Sequence, residues 1–202
     1  MIIKYDIKRS FAMYFNFKTT QADGLILYSG RGNANDFMVV ELSNGRIRYV
    51  FDVGNGPVVV EANQSNRLND NTWHSVSIIR SNLIHTLTVD RQEVSHVMQN
   101  GGAVDLDTSS DFYIGGASWD IFSYLPDKVK SRVGFVGCLG GIDLEMHDVY
   151  DYKVGEAYRD MVTHGCEGKW ISNIFSLLEL LFKETSAKIM HNLKFLLFMF
   201  IL

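Results

Sequence analysis

The chain predicts an all-β fold, an antiparallel two-sheet sandwich, and three observations carry that prediction. Short apolar runs of period two recur along it, the pattern of half-buried strands. Turn signals cut these runs apart at spacings of roughly eight to twelve residues. No helical period is visible before residue 168, so the crossover helices that a parallel sheet needs are missing.

Taken in order, Phe11, Met13, Phe15 and Phe17 alternate with Ala12, Tyr14, Asn16 and Lys18, which predicts a half-buried strand. A polar turn then leads into residues 24–56, where three apolar runs (25–28, 37–42 and 47–53) follow one another. Ser43-Asn44-Gly45 predicts a tight hairpin, because Asn-Gly supplies the positive φ angles of a two-residue primed turn. Asn55-Gly56 reads as a second such dipeptide and opens a run at 57–61. After a polar loop, Trp73, Ser75, Ser77 and Ile79 point one way and His74, Val76, Ile78 and Arg80 the other. Runs at 85–90, 93–97 and 111–114 follow, the last closed by Gly115-Gly116. Residues 117–132 read as a long loop and 134–146 as the last strand, around Cys138.

With 202 residues, 47% of them apolar and 12% aromatic, the chain suits one domain with a sizeable core. Seventeen glycines against two prolines fit many short strands joined by tight turns. A net charge of −4 excludes the basic footprint expected of a nucleic-acid binder. Six histidines without ligand spacing, and no cysteine cluster, argue against zinc. Cys138 and Cys166 admit two readings, buried thiols in a cytosolic protein or a disulfide in a secreted one. The opening MIIKYDIKRS lacks the apolar core of a signal peptide and reads as a chain entering mid-strand, which suggests a truncated first strand and a piece of a longer protein.

Past residue 168 the composition changes. Apolar runs at 170–182 and 195–202 are separated by a polar stretch, and each is shorter than a bilayer span of about 18 residues or more. Residues 169–202 are therefore expected to be a hydrophobic tail outside the 1–168 domain, either as non-domain sequence or as a segment lying on a membrane surface.

Four stretches together, FKTTQADGLILYSG, DFMVVELSNGRIRYVFDVGNGP, NDNTWHSVSIIR and the pair DFYIGG and GFVGCLGGIDL, resemble the laminin G-like (LNS) domain found in neurexins, laminin α chains, agrin and perlecan. The resemblance covers about residues 3–168, and LPDKVKSRVGFVGCL is most similar to a neurexin-type module. It implies a jelly-roll sandwich of the laminin G-like/concanavalin A-like kind. It also implies a disulfide between Cys138 and Cys166, in GFVGCL and HGCEG, and with it an extracellular compartment, as part of a single-pass membrane protein.

The resemblance further implies a rim Ca²⁺ site built from two side chains, two carbonyls and water. Its positions fall on the Asp36 side chain, the Val53 carbonyl, the Asp105 carbonyl and the Asp107 side chain. Such oxygen donors suit a hard cation, with affinity in the range of about 10⁻⁴–10⁻³ M typical of extracellular modules. Read without the resemblance, these aspartates are equally well turn-capping residues.

The implied function is that of a non-catalytic, calcium-dependent recognition module in a neurexin-like cell-adhesion protein. Neuroligin-type receptors are the expected partners. The alternative is a basement-membrane type module that binds sulfated or dystroglycan-type glycans. For that alternative, Arg80, Arg91, Lys128, Lys130 and Arg132 are the candidate basic patch, diluted by Asp120 and Asp127. An enzyme is not expected. No nucleophile, base and acid are signalled, and the Glu-x-Asp-x-x-Glu cluster of jelly-roll glucanases is absent. Trp73 is expected in the core and His74 as a satisfied strand residue. Asn63-Gln64-Ser65 is a glycosylation sequon in a polar loop.

Overall fold

The computed structural model describes residues 2–4, 8–30, 36–98, 102–108, 111–144 and 147–148. Its strands are β1 (Ile2–Lys4), β2 (Ser10–Lys18), β3 (Gly24–Gly30), β4 (Phe37–Ser43), β5 (Arg46–Asp52), β6 (Val58–Glu61), β7 (His74–Ser81), β8 (Ile84–Val89), β9 (Gln92–Val97), β10 (Asp111–Ile114), β11 (Cys138–Leu144) and β12 (His147–Asp148). A short helix, α1, spans Trp119–Tyr124. The first sheet runs β1-β10-β3-β4-β5-β6 and the second β12-β11-β2-β7-β8-β9, six strands each. Neighbouring strands pair antiparallel throughout. This is the antiparallel sandwich that the period-two runs predict.

The second sheet follows that pattern residue by residue. In β2 the odd positions Phe11, Met13, Phe15 and Phe17 are buried, while Ala12, Tyr14, Asn16 and Lys18 face outward. Strand β7 repeats it, with His74, Val76, Ile78 and Arg80 inside. These inward residues meet Ile47, Tyr49, Phe51, Val60 and Phe112 of the first sheet in one core.

The first sheet departs from period two. Every residue of β3 is buried, and so is all of β4 up to Ser43. The reason lies far away in sequence. Residues 117–129, including α1, lie on the outer face, where Ala117, Ile121, Leu125 and Val129 pack on Leu25, Tyr28, Val39 and Val50. Within a stretch expected to be loop, Trp119–Tyr124 is helical because Ile121 gains a buried contact; six residues are too few to show a helical period.

A buried charge fixes this cover. Glu41 is wholly buried on β4 and accepts the main-chain N–H of Lys130 (2.9 Å) and of Ser131 (2.6 Å), together with the Arg48 guanidinium. Burial raises the Glu41 pKa, while the Ser131 N–H, Arg48 and the Lys130 N–H pull it back. Arg48 in turn donates to Glu61 (3.1 Å) and to the Lys128 carbonyl (3.0 Å). A carboxylate at this depth needs such a full set of partners.

The Asn44-Gly45 turn has the positive φ angles of a primed hairpin, 50° and 75°. Asp90 and Arg91 (48° and 70°) make the same geometry without glycine. The dipeptide at 55–56 differs: Gly54 and Gly56 take positive φ and Asn55 does not, so β5 and β6 are joined by a wider turn. The strand expected over 134–146 is β11, which begins at Cys138 with a register shift between Gly140 and Asp143, and the short β12 follows it. The expected boundary at 168 and the tail beyond it lie outside the described residues.

Candidate functional site

Strand register builds the first half of the site. Phe37 pairs with Asp52 in β4–β5, which sets Asp36 beside Val53 at the strand ends. The Asp52 carboxylate accepts Gly54 N–H (2.8 Å) and Gly56 N–H (3.0 Å) and so curls the turn that carries Val53.

The second half comes from the Val-Asp-Leu-Asp alternation at 104–107. Leu106 is buried in the core, and its N–H donates to the Lys8 carbonyl (2.9 Å), so Asp105 and Asp107 stand on the outer side. One side chain, Asn55, ties the halves together, and a second, Arg80, ties the 104–107 segment to the chain at Lys8. Asn55 clasps Ala103 twice, donating to its carbonyl (2.7 Å) and accepting its N–H (3.2 Å). Arg80, 1% exposed, reaches out from β7 and donates to the carbonyls of Lys8 (2.7 Å) and Val104. Burial pushes the Arg80 pKa down, while Tyr49, Asp105 and Asp36 push it up.

The outcome is an open groove of about 490 Å³ in which Asp36, Val53, Asp105 and Asp107 all take part, lined further by Arg9, Gly54 and Ala103. The Asp36 carboxylate accepts the Asp107 N–H (2.7 Å), a direct link across the two halves. All four residues singled out in sequence therefore meet in one place. Among the described residues no three His, Cys, Asp or Glu side chains gather with metal-holding geometry. The expected shell takes only two side chains, and its donors are all oxygen, which suits a hard divalent cation.

Sequence reasoning did not see the cations of this groove. Arg9 Nε lies 2.5 Å from Asp105 Oδ1, and Lys8 Nζ lies 3.6 Å from Asp107 Oδ1. The Arg9 hydrogen bond holds the Asp105 carboxyl below its ordinary range despite slight desolvation, and the Arg9, Lys8 and Arg80 charges reinforce it. Nothing local marked Lys8 and Arg9, because their role depends on a partner loop almost a hundred residues away.

The expected basic patch does not assemble as drawn. Arg80 is buried in the core, and Arg132 is spent on the carbonyls of Leu125, Pro126, Val129 and Ser131. Trp73 is a second departure: it is half exposed, with the Lys18 ammonium 5.6 Å from its ring centroid and Gly140 next to the ring.

His74 is satisfied, as expected. Its Nδ1 meets Asp90 (2.7 Å) and its Nε2 meets Asp70 (3.1 Å), while hydrogen bonds from Thr72 bring the Asp70 pKa down to about 2. Thr72 Oγ1 lies 3.4 Å from His74 Nε2, an order of groups reminiscent of a nucleophile, base and acid, but its hydroxyl donates to Asp70 (2.7 Å). Asn63 is exposed, while Gln64 beside it is buried and donates to the Val89 carbonyl (2.9 Å). Cys138 is disulfide-bonded; Cys166, its expected partner, lies outside the described residues.

Comparison with known proteins follows the same line. The Laminin G domain family model matches residues 17–147. Mouse and human neurexin-2 are 42% identical to the chain over 165 residues, 79% of this chain and 9% of theirs. Zebrafish (Danio rerio) neurexin-3a is 47% identical over 136 residues, 67% of this chain and 8% of its own. The chain thus spans under a tenth of the length of these curated relatives. Among solved structures, domains LG4-5 of the mouse laminin alpha1 chain superpose with a TM-score of 0.63 at 25% identity, covering 73% of this chain and 39% of that one. The LG1-3 region of the laminin alpha2 chain gives 0.62 at 21% identity, covering 77% and 32%, a likeness of fold.

Proposed function

The chain belongs to the laminin G domain family, and from that premise we propose that it is an extracellular, calcium-dependent recognition module that binds a protein receptor at cell junctions. The family and its neurexin relatives are non-catalytic adhesion modules. The observation that carries the proposal is the meeting of Asp36, Val53, Asp105 and Asp107 in one open groove at the sandwich rim.

In that groove the Asp36 and Asp107 carboxylates and the main-chain oxygens of Val53 and Asp105 would hold the ion. Calcium would supply charge that draws the 36, 53 and 102–107 segments together. The chain's own part is preorganisation: Asn55 joins the two loops and Arg80 holds the 104–107 segment to Lys8 before any ligand arrives, so little ordering is left to oppose binding. Neuroligin-type surface proteins are the partner class that fits a neurexin-like module. Sulfated or dystroglycan-type glycans fit less well, because Arg80 is buried and the rim cations Lys8 and Arg9 already face carboxylates.

The neurexin and laminin relatives are extracellular or cell-surface proteins. That setting suits the Cys138–Cys166 disulfide, a glycan on Asn63, and attachment to the membrane through a longer parent protein. Titration calorimetry tests the calcium proposal: Ca²⁺ added to the wild-type domain should give a saturable isotherm that Asp36→Ala and Asp107→Ala remove. Equal heats for all three proteins would end it.

A further inference from the structure

We infer that Lys8 and Arg9 are resident counter-cations of the rim groove and that they set its affinity for calcium. The inference deepens the calcium reading above and rests on it.

Main-chain bonds make this basic pair part of the site. The Lys8 carbonyl accepts both Leu106 N–H (2.9 Å) and the Arg80 guanidinium (2.7 Å), and the Arg9 carbonyl accepts Asn82 N–H (2.9 Å). One buried guanidinium thus grips the backbone of the basic segment at Lys8 and of the acidic loop at Val104. From that fixed backbone Lys8 extends to Asp107 and Arg9 to Asp105. Among the described residues, the carboxylates of Asp36, Asp105 and Asp107 lie near the positive charges of Lys8, Arg9 and Arg80. Two of these carboxylates, Asp105 and Asp107, thus carry a cationic partner before any ion arrives.

Both ion pairs are largely exposed, with the Lys8 and Arg9 side chains 60% and 63% accessible. Exposed pairs of this kind contribute little to folding. Their effect falls on an incoming divalent cation, which meets the Lys8 ammonium on one ligand carboxylate, Asp107, and the Arg9 guanidinium on the side chain of Asp105, whose carbonyl is the expected ligand. To bind, calcium must displace the Lys8 ammonium from Asp107 or tolerate it nearby.

The test is Lys8→Gln/Arg9→Gln, with Arg91→Gln as a control at the far turn between β8 and β9. Ca²⁺ titration by calorimetry and Tb³⁺ luminescence supply the binding constants, and thermal melts without metal supply stability. The double variant should bind Ca²⁺ about tenfold more tightly than wild type, with the Arg91→Gln affinity and all metal-free melting points nearly unchanged. Binding by the double variant where wild type is silent would support the inference as well. Equal affinities in wild type and double variant would overturn it and leave the calcium site standing. Absence of Ca²⁺ and Tb³⁺ binding in both would overturn the calcium reading and this inference together. A large fall in the double variant's melting point would assign Lys8 and Arg9 to structure instead.

Discussion

The two sheets bury their residues by different rules. In the second sheet the described residues cover the inner face only, and β2 and β7 alternate between buried and exposed. In the first sheet both faces are covered, the inner by the opposite sheet and the outer by residues 117–129. A strand's own pattern reports how many faces it buries, but not what covers the second face. The cover is held by polar chemistry, since Glu41 gathers two N–H groups and a guanidinium under it.

Breaking that anchor should produce the largest effect. Glu41→Ala removes three interactions and leaves the Lys130 and Ser131 N–H groups without their acceptor and Arg48 without its buried counter-charge, and denaturant unfolding should show a loss of about 3–5 kcal/mol. A loss under about 1 kcal/mol would mean that apolar packing alone retains the cover.

A matched pair of outer-face truncations sharpens the comparison. Val39→Ala, under the cover, should cost about 1–3 kcal/mol. Ile79→Ala, on the bare face and 39% exposed, should cost under about 1 kcal/mol. Equal costs would erase the distinction between the two faces.

A further effect, set by pH, concerns the interior that both sheets share. His85 of β8 stacks on Phe51 of β5 with ring centroids 3.7 Å apart, and its Nδ1 meets the Tyr49 hydroxyl at 3.1 Å. Burial, with help from Arg80 and His96, lowers the His85 pKa from 6.5 to about 3. The unfolded chain takes up this proton near pH 6.5 and the folded chain only near pH 3, so folding stability declines as pH falls from about 6.5 toward 3. Urea melts across that range should show the decline, and His85→Gln should flatten it. An unchanged slope in the variant would place the acid sensitivity elsewhere.

Much of this was legible beforehand, residue by residue. The alternation at 11–18 and the Asn44-Gly45 turn are local consequences of strand pleat and left-handed φ, so sequence carries them. The four site positions were legible through family resemblance, and the register of Phe37 with Asp52 explains why Asp36 and Val53 belong together. Other features were not legible. Trp73 was expected inside, but it lies half exposed with the Lys18 ammonium of the neighbouring strand over its ring. Arg80 was placed by alternation on the face of His74, Val76 and Ile78, but its partners there, the carbonyls of Lys8 and Val104, were not legible.

By itself, then, the sequence determined the strands, the tight turns and the inward face of each strand in the second sheet, since these follow from neighbours one to four residues apart. Tertiary structure alone decided which outer face is covered, which charges are buried and which cations sit in the groove. Lys130 reaches Glu41, and Arg9 reaches Asp105, across 89 and 96 residues of chain. No local pattern encodes a partner at such separation; it exists only once the two sheets have closed on their common core.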